Sequence, residues 1–285
     1  MLIIVGAIVV MGSVLGGYVL HHGNLAVLWQ PTELIIILGA ALGSMVIQNP
    51  MSVTKGIIKQ LIHALKASEP TKQQFTDLLL CLYELIKTGK GNILGLEAHV
   101  ENPANSEIFK KYPSVLNNHH CVHFIADTLK VQISSPVSPY DLEDLMNADI
   151  NAAHTEELKP SASVRTVGDA MPGLGIVAAV LGVVITMGKL TAGKEVIGQS
   201  VAAALVGTFI GVLAAYGFFG PVAAKMEANI NQEGQFMHVA KAALLAFAKD
   251  CSPKVCVEFA RRTIPPEVRP DFHEVDAATS NLKAA

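Results

Sequence analysis

The chain has 285 residues, of which 51% are hydrophobic and only 16% charged, with a mean hydropathy of +0.42. That balance is too apolar for an ordinary soluble domain, and a net charge of −3 gives no hint of a nucleic-acid partner. Four apolar segments, 2–20, 33–47, 172–188 and 197–223, carry no acid or base beyond their margins. With its flanks, each is long enough to cross a hydrocarbon core of ~30 Å as a helix. The predicted class is all-α: a polytopic membrane protein with four transmembrane helices and a helical cytoplasmic domain between helices 2 and 3.

Met1-Leu2-Ile3-Ile4 has no positive n-region, and no small-x-small cleavage site stands near Gly16-Gly17-Tyr18. The first span therefore reads as a retained helix and not a signal peptide. The first pair of spans occupies 1–49 and is rich in Leu, Ile and Val, as in Glu33-Leu34-Ile35-Ile36-Ile37-Leu38, which suits lipid tails. His21 to Gln30 holds no Lys, Arg, Asp or Glu, whereas Lys55, Lys59 and Lys66 follow the second span. Arg165 precedes the third span and Lys225 follows the fourth. The positive-inside rule then puts both termini and the 50–168 block in the cytoplasm, with Lys189, Lys194 and Glu195 on the outer side. All four cysteines, Cys81, Cys121, Cys251 and Cys256, would face a reducing compartment without disulfides.

The 50–168 block reads as helices. Thr71-Lys72-Gln73-Gln74 is a capping box, followed at helical spacing by Phe75, Leu78, Leu79, Leu82, Leu85 and Ile86. Gly89 and Gly91 are expected to break that helix. Asn105 and Ser106 cap a short helix across Glu107–Tyr112, and another is expected over 114–132. Ser138-Pro139-Tyr140-Asp141 is a helix start, with continuation to about Leu158. The second pair of spans, 169–223, is dominated by Ala, Gly and Val, so these helices can approach one another closely. From Val222 one long helix is predicted to Ala248 within the C-terminal segment 224–285. The tail beyond Phe272 is expected to be loosely ordered.

No phosphate-binding glycine loop, nucleophile elbow or zinc motif is present. His119, His120 and His123 with Cys121 are the best metal candidates, but no carboxylate or second cluster lies nearby in sequence, so no metal site is assigned. In the third span Pro172, Ala179 and Thr186 recur every seven residues and share one face, drifting only ~20° per step. Asp169 marks its cytoplasmic entrance. Thr186 and Thr208 are the threonines of the membrane interior, and each hydroxyl either back-bonds to its own helix or lines a polar track for an ion. A proton relay needs an ionisable group within the bilayer, and none is read in these spans. The acid must then come from another chain, so an obligate partner is predicted.

The chain resembles the A subunit of the bacterial flagellar motor stator (the MotA family of the MotA/TolQ/ExbB-type proton channel proteins) along nearly its whole length. The matching residues are Ile4-Val5-Gly6, Gly16-Gly17-Tyr18, Gly39-Ala40-Ala41-Leu42-Gly43, Asn49-Pro50, Leu96-Glu97 and Glu101-Asn102-Pro103. To these are added the run from Gly168 to Ala179, Val206-Gly207-Thr208-Phe209-Ile210-Gly211 and Tyr216-Gly217-Phe218-Phe219-Gly220-Pro221. The resemblance implies a homo-pentamer in the inner membrane around a dimer of a MotB-type single-span B subunit, which supplies the missing aspartate. It implies a mechanical subunit with protons as coupling ion and no other cofactor, not an enzyme. Pro172 and Pro221 match two prolines tied to coupling, and Thr208 matches a pore threonine. Ala179 stands where sodium-driven relatives carry threonine. Glu97 matches an acid that meets the rotor's torque ring, but the arginine expected eight residues earlier falls on Gly89. Lys90 or Lys87 is the available substitute, without arginine's planar fork. The rival family reading is an ExbB/TolQ-like energising subunit of an outer-membrane system.

Overall fold

The structure is a computed structural model that describes residues 2–66, 69–135, 137–188 and 193–284. Lys189 lies outside the described residues, as do the side chains of Lys194 and Glu195. Every regular element among the described residues is helical. The chain divides into two compact units, Met1–Ala67 with Glu157–Asn229, and Ser68–Glu156 with Ile230–Ala285.

The first unit holds α1 (Leu2–Leu20), α2 (Leu25–Leu28), α3 (Pro31–Gln48) and α4 (Met51–Lys66). It also holds the later part of α10 (Pro139–Met187), all of α11 (Lys194–Ala214) and the start of α12 (Gly220–Ala248). Among the described residues four stretches are long and apolar enough to cross a membrane: Leu2–Leu20, Leu25–Gln48, and windows within Pro139–Met187 and Ser200–Ala248. α1 buries none of its residues within the chain, which is what lipid contact or neighbouring subunits require of a helix apolar on all sides. α3 turns Glu33, Ile37 and Ala41 inward, a single stripe at i, i+4 and i+8. At its C-terminal end Gln48 Nε2 and Asn49 Nδ2 both donate to Ser163 Oγ, at 2.9 and 2.7 Å, fixing the α3–α4 corner on α10.

α10 does not stop near Leu158. It runs 49 residues with Pro160 and Pro172 inside it. A proline removes one backbone donor and crowds the carbonyl four residues back, so nearby backbone groups need other partners. Gln60 Nε2 donates to the Glu157 carbonyl at 2.8 Å, and Ser161 Oγ to the Leu158 carbonyl at 2.9 Å. Gly56 leaves room for the Pro160 ring, which lies only 3.1 Å from where a Cβ would stand. Between α11 and α12 the chain takes one wide π turn, Ala215–Phe219, just ahead of Pro221. A widened turn absorbs the missing donor without ending the helix.

The second unit is built on α5 (Lys72–Gly91), α6 (Glu97–Glu101), α7 (Glu107–Lys111), α8 (Pro113–Leu116) and α9 (His119–Ser134). The early part of α10, the later part of α12, α13 (Pro253–Thr263) and α14 (Phe272–Ala284) complete it. The capping box forms as read: Thr71 Oγ1 accepts from the Gln74 amide at 3.3 Å, and Gln74 Oε1 from the Thr71 amide at 2.8 Å. Phe75, Leu78, Leu79, Leu82, Leu85 and Ile86 all belong to the core, and the Phe75 ring stacks on Phe236 at 4.5 Å between centroids. The 114–132 stretch is two helices, because Asn118 caps a new one through the Cys121 amide. α5 continues through Gly89, which is buried. The segment beyond Phe272 is helical, not loose. Val275 and Thr279 are buried one turn apart, and ion pairs from Lys72 to Glu274 and from Lys254 to Asp276 secure its exposed side.

Candidate functional site

The membrane-spanning parts of α10 and α11 meet through glycine. A Cβ built on Gly175 would lie 2.7 Å from the Gly207 carbonyl oxygen, and one on Gly211 only 2.6 Å from that of Met171. Higher on the same seam, a Cβ at Gly182 would lie 2.9 Å from Ala204 Cβ. The two helices are thus in backbone contact over about three turns of α10, which side chains of any size would prevent.

The predicted path residues distribute along this seam. Thr208 Cα stands 3.2 Å from the Gly175 Cβ position, so Thr208 is level with the turn between Pro172 and Ala179. All three are half-buried. Gly168 abuts Phe219 and the Gly220 amide, which sets the Asp169–Pro172 turn beside the π turn and the start of α12 at Pro221. Asp169 and Pro221 are exposed. Thr186 is fully buried, and its hydroxyl donates to the Gly182 carbonyl at 2.8 Å. That bond belongs to the local back-bonding alternative, and it leaves the oxygen's lone pairs as acceptors.

The spans do hold a carboxylate, contrary to the sequence reading. Glu33, at the head of α3, is 6% exposed and faces α10 and α11 instead of lipid. Its Oε2 lies 3.0 Å from the Cβ position of Gly207, and its Oε1 3.6 Å from that of Gly182. Oε2 is buried with no hydrogen-bond partner. The sequence signal was its register: Glu33 precedes Ile37 and Ala41 at four-residue spacing, the interval that marks one helix face.

In the second unit Glu97 is exposed at the start of α6. Gly89 is occluded: a Cβ there would meet Leu96 Cδ1 and Phe247 Cζ, each at 2.8 Å. Lys90 pairs with Asp250, and its ammonium lies 5.8 Å from the centroid of the Phe247 ring. The lysine bonded to Asp250 holds that carboxyl below its ordinary range. Lys87 Nζ donates to the Leu282 carbonyl at 3.2 Å. His119, His120 and His123 are exposed while Cys121 turns into the core, and burial pushes its thiol up to about 12. Among the described residues no three His, Cys, Asp or Glu side chains group as metal ligands.

Two family models match the chain: motility protein A N-terminal over residues 4–92, and the MotA/TolQ/ExbB proton channel family over 117–238. Motility protein A of Escherichia coli (strain K12) is 39% identical over 284 residues, covering 99% of this chain and 96% of the relative. Chemotaxis protein LafT of Vibrio parahaemolyticus is 34% identical over 272 residues, covering 95% of each. Among solved structures, that of C. jejuni MotAB superposes with a TM-score of 0.75 at 18% identity, covering 93% of this chain and 95% of that one. The flagellar MotAB stator complex from Bacillus subtilis gives 0.73 at 21% identity, covering 93% and 96%. With 39% identity to the Escherichia coli protein over nearly the full length of both chains, the chain belongs to the motility protein A family.

Proposed function

We propose that this chain is the A subunit of a flagellar stator, which with a single-span B subunit passes protons across the inner membrane and turns their flux into torque on the rotor. The observation that carries the reading is the α10–α11 seam. It is a small-residue wall bearing Thr208 and flanked by Pro172 and Pro221, and it is free of ionisable residues from Ala170 to Gly188 and from Ile197 to Ala214. Such a wall suits a partner's carboxylate that loses its charge on protonation and can then move past apolar surface. Each proton falling through ~150 mV releases about 3.5 kcal/mol for the step. The solved relatives are MotAB complexes, which supports a B-type partner. The exposed faces of α1 fit lipid and further copies of the chain in a pentamer around a B dimer. Both termini and the second unit are cytoplasmic in this reading, where Glu97, with Lys90 and Lys87, meets the torque ring through screened charge contacts. An outer-membrane energising role shares the 117–238 match, but the motility-specific match over 4–92 favours the stator.

The test is proton flux into vesicles carrying this chain with its B subunit, beside swimming speed titrated with a protonophore and with external sodium. Flux that needs both chains, and speed that follows the proton gradient alone, are expected. Current from the A chain by itself, or a sodium requirement, overturns the reading. Reversing charge at both Glu97 and Lys90 is expected to stop swimming while stators still assemble; preserved motility removes those residues from the rotor contact.

A further inference from the structure

We propose that Glu33 is a proton-exchanging carboxylate contributed by this chain, an outer relay that takes protons from the external side before they reach the partner's acid. The inference rests on the stator reading and adds to it a second titrating site. Three observations carry it. Glu33 is 6% exposed, buried by this chain's own helices. Its Oε2 is buried with no hydrogen bond. And it occupies a cradle made by two glycines, Gly182 and Gly207, where a Cβ would stand 3.6 Å from Oε1 and 3.0 Å from Oε2.

An ionised carboxylate left unpaired in such a place costs several kcal/mol, so it must bind a proton or another cation for much of the time. Among the described residues no side chain is hydrogen-bonded to its Oε2. The two helices against it hold no ionisable residue over 170–188 or 197–214. The alternative role for an acid in the first turn, capping its own helix, is not taken by Oε2, which has no hydrogen-bond partner. In the proposed topology the three groups of the cradle share a level. Glu33 follows the outer loop on α3, Gly182 approaches the outer end of α10, and Gly207 lies in the outer half of α11. The exchange is balanced: hydronium gives a proton to Oε2 and leaves water, then Glu33–OH gives that proton to an inner water, and the carboxylate returns.

The test uses the complete complex with the B subunit. Glu33→Gln keeps the shape and removes the exchangeable proton, while Glu33→Asp keeps the acid. Glu33→Gln is expected to co-purify with the B subunit, yet lower proton flux about tenfold or more, the scale of losing a positioned proton-transfer group. At a fixed proton-motive force it should also shift the external-pH profile of the remaining flux, with Glu33→Asp restoring the native profile. A Gln variant with the flux and external-pH profile of the native complex overturns the proposal. A second measurement needs no variant: a hydrophobic carbodiimide, which attacks protonated carboxyls, should modify Glu33 in the native complex, less as external pH rises. Absence of modification at every pH, or modification that ignores pH, also overturns it. Failure of the stator reading looks different, because native complexes would then carry no flux at all.

Discussion

The glycine seam can be tested by adding one methyl group. In Gly211→Ala the new Cβ stands 2.6 Å from the Met171 carbonyl oxygen and 2.9 Å from Gly175 Cα. Ordinary contact begins near 3.4 Å, so going from 2.6 Å to that distance α10 and α11 must part locally by about 0.8 Å. Alanine favours the helix over glycine by ~1 kcal/mol, whereas overpacking costs ~1–3 kcal/mol. The opposing atoms are backbone and cannot rotate away, so the clash takes the upper part of its range and wins by ~1–2 kcal/mol. That is too little to unfold the unit but enough to shift a path in which misplacement by ~1 Å costs ~100-fold in rate. Counting fluorescently tagged stators per motor, with bead speed at low load, separates assembly from output. Gly211→Ala is expected to assemble and to lose most of its torque per unit. Gly91→Ala, whose Cβ would meet nothing within 4 Å, should swim normally. Normal torque per stator from Gly211→Ala would refute the close-approach argument.

Placing at position 89 the arginine that the resemblance implies should harm the protein. In Gly89→Arg the first carbon already strikes Leu96 and Phe247 at 2.8 Å, so thermal unfolding of the purified complex should show a loss of ~1–3 kcal/mol, with Gly91→Arg near native; equal stability of the two counts against the packing account. Acid should weaken the second unit through Glu258, whose carboxyl is held at about 2 chiefly by its bond to Arg261 and further by Arg262. Its folded value lies below the ordinary 4.5, so its contribution is complete above that pH and drains away as pH falls from 4.5 towards about 2. Helical circular dichroism against pH should fall less steeply over that window in Glu258→Gln, and an identical curve would remove Glu258 from the acid response.

Most of this architecture was legible because it rests on local signals. The Thr71 capping box, the Phe75-to-Ile86 stripe and the Ser138-Pro139 start each act within one or two turns, and each appears where the pattern puts it. What escaped depends on contacts between distant segments. Pro160 looks like a terminator until Gln60 and Gly56 are found beside it. The polar residues of 272–284 hide a stripe that packing on α5 and α13 makes worth burying. Glu33 was misread for a related reason: composition assigns its neighbours to lipid, while the register Glu33, Ile37, Ala41 assigns that one face to protein. A count of charges per segment cannot distinguish an acid at the margin from an acid turned inward.

The departure at Gly89 becomes intelligible as part of one local arrangement. α12 ends in a six-residue closure, with the Cys251 amide donating to Ala246 O at 3.1 Å and the Asp250 amide to Phe247 O at 2.9 Å. This closure puts Asp250 at φ 64, a left-handed conformation that aspartate tolerates better than most residues. The same turn lays the Phe247 ring over Gly89 and presents Asp250 to Lys90. An arginine at 89 would have to displace that ring. The cation sits instead one residue on, already engaged by Asp250 and the aromatic face, while Lys87 is engaged by the Leu282 carbonyl. Of the three residues assigned to the rotor, Glu97 is then the one whose charge projects without such an attachment. Cations on the torque ring should therefore matter more to this stator than its anions, and reversing Glu97 alone should reduce torque more than reversing either lysine.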